Sequence, residues 1–162
     1  MLIIGLLAVL LASCGQSTTG QQTSGTPTAS SHTHLSRIAW QGFLDADQTT
    51  AAIFSANADG SDVRQLTHPG NGEEDAWPAW SPDGSKLIFT QSGENSGSGD
   101  IFLMNADGTH SRRLTNSSGI VGAESSGPRW SPDGRQILFF HEWPYGLYVI
   151  NPEGGKPRII AG

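Results

Sequence analysis

The sequence is poor in charge and almost without cysteine. Charged residues make up 15% of its 162 residues, against the roughly 25% typical of soluble domains. Lys and Arg number 9 against 15 Asp and Glu, a net charge of −6. That shortage of cations excludes nucleic acid as the main partner, because phosphate binding depends on clustered Lys and Arg. The lone Cys14 excludes an intramolecular disulfide and a multi-Cys zinc site. Enzyme signatures are missing as well. There is no Gly-x-Ser-x-Gly elbow, no Gly-Lys-Ser/Thr phosphate loop and no His-Glu-x-x-His, since His141-Glu142 runs into Trp143-Pro144-Tyr145. Glu73, Glu74 and Asp75 adjoin one another without the Asp-x-Asp-x-Asp-Gly spacing of a calcium loop. The expectation is a non-catalytic chain with no cofactor and no metal. What is abundant is glycine, 21 residues, which weakens helix interiors by about 1 kcal/mol each and favours strands and turns.

Three segments divide the chain. Residues 1–14 read as an export signal. The apolar run Leu2 to Ala12 is shorter than the roughly 17–25 residues of a membrane span. It ends in Leu11-Ala12-Ser13-Cys14, which resembles the bacterial lipoprotein box, although no Lys or Arg precedes the run. The resemblance implies lipidation at Cys14, whose two or three acyl chains suffice for stable anchoring. It also implies an exported product held at the cell envelope, on its periplasmic or extracellular face. Residues 15–36 are mostly Ser, Thr, Gly and Gln, with one Pro and Leu35 as the only large apolar residue, and read as a tether reaching roughly 25 Å on average and 75 Å at most. His32 and His34, with no third ligand nearby, read as a solvated pair.

Residues 37–162 repeat. Pro78-Ala79-Trp80-Ser81-Pro82-Asp83-Gly84 returns as Pro128-Arg129-Trp130-Ser131-Pro132-Asp133-Gly134, each copy followed by an apolar run. Ile53 to Gly60, Ile101 to Gly108 and Leu147 to Gly154 form a second recurring block, closed by Arg64 to Thr67, Arg112 to Thr115 and Pro157 to Ile160. In Ser-Pro-Asp-Gly the Pro fixes φ, the Asp bonds its own backbone and the Gly takes positive φ. Asn-x-Asp-Gly serves the second hairpin likewise. The apolar runs between turns lack alternation, as strands covered on both faces do. Trp80 and Trp130 are expected to wedge between repeats as packing rather than as ligand-stacking groups. A period of 40–50 residues with several short strands indicates β-propeller blades.

These motifs resemble the TolB-type (WD-like) β-propeller repeat, and also the propeller domains of prolyl-oligopeptidase-like serine peptidases. The resemblance implies an all-β fold of four-stranded antiparallel blades. The strand count, eleven, gives just under three blades, because residues 37–67 supply three strands with no Trp-Ser-Pro-Asp-Gly before them. Closed rings take about four to eight blades. Either the chain is a portion of a longer product, or copies associate to complete a ring. Aligning the repeats pairs Gly72 with Gly122 and Glu74 with Glu124. Glu73, Glu74, Asp75 and Glu124 would then place negative charge at a channel mouth, suited to a cation, an amine or a Lys/Arg-rich peptide. The functional expectation is an anchored binding or scaffold module for a protein or peptide partner. The alternative is the propeller portion of an exported enzyme.

Overall fold

The computed structural model describes residues 37–93, 99–117, 125–142 and 144–162. The described residues hold eleven strands and no helix. The first blade contains β1 (Arg37–Phe43), β2 (Ala51–Asn57) and β3 (Arg64–Gln65). The second contains β4 (Glu74–Trp80), β5 (Lys86–Ser92), β6 (Gly99–Asn105) and β7 (Arg112–Arg113). The third contains β8 (Ser125–Trp130), β9 (Ile137–Glu142), β10 (Tyr145–Ile150) and β11 (Arg158–Ala161). Neighbours within each blade pair antiparallel. One parallel bridge, Ala51 to Glu74, fuses the first two blades into a seven-stranded sheet, while the third blade is a separate sheet of four. Both sheets are open. The outer strands are shorter than their sequence suggests: β3 keeps only two of the residues Val63 to Leu66.

The core explains why the apolar runs do not alternate. From the second blade, Leu87, Phe89 and Met104 pack toward the first blade with Ile53 and Leu66. Ile88, Ile101, Leu103 and Leu114 pack toward the third with Ile137, Phe139 and Ile150. Residues of either parity along β5 therefore have a buried partner, so both are apolar. Trp80 and Trp130 pack against the first and second of these clusters respectively, as expected of wedges, but each is half-buried rather than enclosed.

The turns follow their chemistry. Ser81 Oγ donates to Asp83 at 2.6 Å and accepts from Lys86 N at 2.9 Å, while Gly84 N returns to Ser81 O at 2.8 Å. Ser131, Asp133 and Gly134 repeat the set, with 2.6 Å from Ser131 Oγ to Asp133 and 2.9 Å from Gly134 N to Ser131 O. Gly84 and Gly134 have φ of +69° and +70°. The Leu-Thr pair closing the first two units serves the main chain. Thr67 and Thr115 each accept a backbone N–H, from Ile53 and Ile101, at 2.9 Å.

Candidate functional site

The innermost strand of the second blade, β4, starts beside the loop 66–73 and delivers Glu73, Glu74 and Asp75 to one end of the sheet. The start of β2 and the end of β5 meet it there through Ala51 and Ser92. Each carboxylate is engaged differently. Glu73 accepts from Gly70 N at 2.7 Å and so closes its own loop. Glu74 accepts a short bond from the Gln41 side chain. Asp75 is only 1% exposed and accepts from Gln91 Nε2 at 2.9 Å. Burial pushes its carboxyl above the usual range; bonds from Thr67 and Gln91 oppose that, and the charge of Glu73 adds to it.

Further acids stand at the same end. Asp45 follows β1 and accepts from Thr49 N at 2.8 Å, and hydrogen bonds from Thr50 and Thr49 hold it below the usual carboxylate range. Asp47 is exposed in that loop. Asp100 opposite Gln91 accepts from Thr115 Oγ1 and Ser117 N at 2.8 and 2.9 Å. Glu142 is exposed where β9 turns to β10. Arg113 meets Asp100 at 3.5 Å, and Lys156 lines a hollow further out. Glu124, Gly122 and the lipidation candidate Cys14 lie outside the described residues. Among the described residues no three His, Cys, Asp or Glu side chains cluster as metal ligands would.

Two related hollows flank this end, one at each blade junction. The first, about 270 Å³, is lined by Thr67, Asp75, Phe89 and Gln91. The second, about 370 Å³, is lined by Thr115, Ser125, Phe139 and His141. The lining residues correspond through the repeat, so the Asp75–Gln91 pair of one junction becomes Ser125–His141 in the next, with 3.3 Å between Ser125 Oγ and His141 Nδ1. Ser125 is 1% exposed. His141 meets Tyr148 edge-on and Tyr145 meets Phe140 edge-on, at centroid distances of 5.5 and 4.9 Å. Trp143 lies outside the described residues.

Trp77 escapes sequence reasoning. It sits in a register break of β4 between Ala76 and Ala79, with φ of +56° and 57% exposure. The matching break of β8 carries Gly127 at φ +59°. The repeat offset that pairs Pro78 with Pro128 pairs Trp77 with Gly127, and that was the available signal.

A model of the TolB beta propeller domain matches residues 16–161. Among solved structures, a putative TolB from Agrobacterium tumefaciens superposes with a TM-score of 0.61 at 23% identity, over 76% of this chain and 44% of its own. TolB from Acinetobacter baumannii gives 0.59 at 24% identity, over 76% of this chain and 29% of its own. An oligogalacturonate lyase in complex with manganese gives 0.54 at 23%, over 67% and 28%. The chain thus spans less than half the length of these structures, and the likeness is one of fold. No curated protein matches by sequence. The match over most of the chain, together with the tandem blades, places the chain in the TolB beta propeller domain family.

Proposed function

We propose that the chain is an exported, non-catalytic propeller module, anchored at the cell envelope through lipid on Cys14, that receives a Lys/Arg-rich segment of a protein partner. The observation that carries this reading is the excess of carboxylates at one end of the inner strands. Glu73, Glu74, Asp45, Asp47, Asp100 and Glu142 stand at that end, where Arg113 pairs with Asp100. Grouped charge of one sign raises the local concentration of an oppositely charged segment and speeds its encounter. The hydrogen bonds on Glu73, Asp45 and Asp100 hold the carboxylates in place, so binding does not have to order them first. The lipobox ending a short apolar run supports the anchor.

Titration with a Lys-rich and a Glu-rich peptide of equal length tests the binding reading. The Lys-rich peptide is expected to bind, to weaken as salt rises, and to weaken several-fold with Glu73→Gln and Asp47→Asn combined. Equal affinity for both peptides, or none for either, would overturn it. Intact-mass analysis of the membrane fraction tests the anchor: a diacylated or triacylated chain starting at Cys14 is expected, and an unmodified thiol refutes it.

A further inference from the structure

We infer that the hollow at the junction of the first and second blades receives the ammonium group of a lysine side chain, with Asp75 as the carboxylate that meets it. The inference rests on the acidic-end reading for the source of that lysine, a basic segment of a protein partner, and gives it a defined seat. The hollow, about 270 Å³, lies between the loop 66–73, β4, β5 and the hairpin that follows β6. Asp75 lines it while only 1% exposed, and Glu73 and Gln91 line it half-buried.

A carboxylate taken out of water is ordinarily met by a cation. Asp75 is not. All nine Lys and Arg of the sequence lie among the described residues, and none of them pairs with Asp75 or Glu73. Arg37 and Arg64 go to Asp62, and Arg113 to Asp100. The partners of Asp75 are neutral, the Gln91 amide at 2.9 Å and the Thr67 hydroxyl. Glu73 adds a second negative charge beside it. The other junction shows what such a space accommodates. There Ser125 and His141 stand where Asp75 and Gln91 do, and the chain's own Lys156 lines the hollow. At the first junction the matching hairpin contributes Gly108 and Ser111, so the hollow with the carboxylate is the one without a lysine.

The lining selects an ammonium on an alkyl stem. Leu66, Pro69 and Phe89 give the hollow apolar walls against which methylenes can lie. The acceptors come from separate elements: Asp75 on β4, Gln91 on β5 and Glu73 in the loop before β4. Gln91 gives an amide N–H to Asp75, which leaves its Oε1 as an acceptor. An ammonium carries three donors that turn toward scattered acceptors, whereas a guanidinium asks for two coplanar oxygens. Asp75 does not offer that fork, because Gln91 and Thr67 already bond its carboxylate.

The test uses the full chain with ¹³C-labelled aspartate and ¹⁵N-labelled glutamine, the Asp75 carboxyl signal being assigned through its backbone. The probe is n-butylammonium, a lysine side chain without its main chain. Saturable binding in the millimolar range is expected to move the Asp75 signal. It is also expected to lower the pH at which that carboxyl titrates, since a neighbouring cation favours the charged form. n-Butylguanidinium, tetramethylammonium and sodium at equal ionic strength are expected to bind about five-fold more weakly or not at all. Asp75→Asn removes the uncompensated charge, so the variant melts at the same temperature or higher, while amine binding read on the Gln91 side-chain amide is lost. Gln91→Met keeps the carboxylate and is expected to weaken the amine several-fold on the Asp75 signal. No saturable shift, an equal response to guanidinium, tetramethylammonium or sodium, or unchanged affinity in Asp75→Asn would each overturn the inference. Binding of a Lys-rich peptide that leaves the Asp75 signal in place would overturn it while sparing the acidic-end reading. Amine binding at Asp75 with equal affinity for Lys-rich and Glu-rich peptides would uphold the seat and overturn that reading alone.

Discussion

At Ser81 to Gly84 each residue meets a backbone requirement of the turn, and each contribution can be removed separately. A Cβ on Gly84 would meet nothing within 4 Å, so the effect of Gly84→Ala is confined to its φ of +69°. We expect a loss of about 1 kcal/mol in a denaturant titration; an unchanged midpoint would mean the turn relaxes to another type. Asp83 takes bonds from Ser81 Oγ, Ser85 N and Ser85 Oγ at 2.6, 3.1 and 2.8 Å. These bonds, that from Ser81 foremost, lower its carboxyl to about 2. A folded-state value below the unfolded 3.8 means the charged form is favoured by folding. Its contribution is complete above pH 4 and disappears as pH falls toward 2. Melting temperatures at pH 5, 3 and 2 are expected to fall less steeply for Asp83→Asn than for the parent. Both effects are legible in the sequence because the turn is made by neighbours in the chain.

The two inner strands show where that legibility stops. β4 and β8 break register at the same point, and the backbone there requires a left-handed residue. Gly127 meets the requirement without a Cβ; Trp77 meets it against its own preference, a conformation costing roughly 1–2 kcal/mol for an L-residue. Nothing in the local sequence Asp75-Ala76-Trp77-Pro78 signals this, since the requirement comes from the pairing with β5. The burial of Asp75 and the Gln41–Glu74 bond are equally invisible, because each joins residues from different strands. Trp77 is largely exposed, so little packing opposes relief of the strain. Trp77→Gly is accordingly expected to raise stability by up to about 1 kcal/mol in thermal or denaturant unfolding. A clear loss would show that the ring packs more than its exposure indicates.

Among the described residues the three blades bury each other at two junctions, and the first and third each carry one face with no blade against it. On the first blade Ile38 and Trp40 are exposed, the latter stacked on Phe54 at 5.9 Å. On the third, Tyr145 and Leu147 are exposed beside Leu138 and Phe140. The eleven strands of the described residues were readable from the repeats, three of them in the first blade. The extent of these faces was not, because it depends on which parity of each strand turns inward. β5 satisfies both parities by having a blade on each side, whereas β1 and β9 have a blade on one side only. Apolar surface of this kind seldom stays bare on a monomer. Each open face is the mate of the other in a stack of blades, so a copy can set its third blade on the first blade of another. We therefore expect residues 15–162 in solution to self-associate, with mass by light scattering rising with concentration. Trp40→Glu and Leu147→Glu, one on each face, should each shift the distribution toward the monomer while the core remains folded by circular dichroism. A folded parent that stays monomeric over the same concentrations would show that the two faces do not mate.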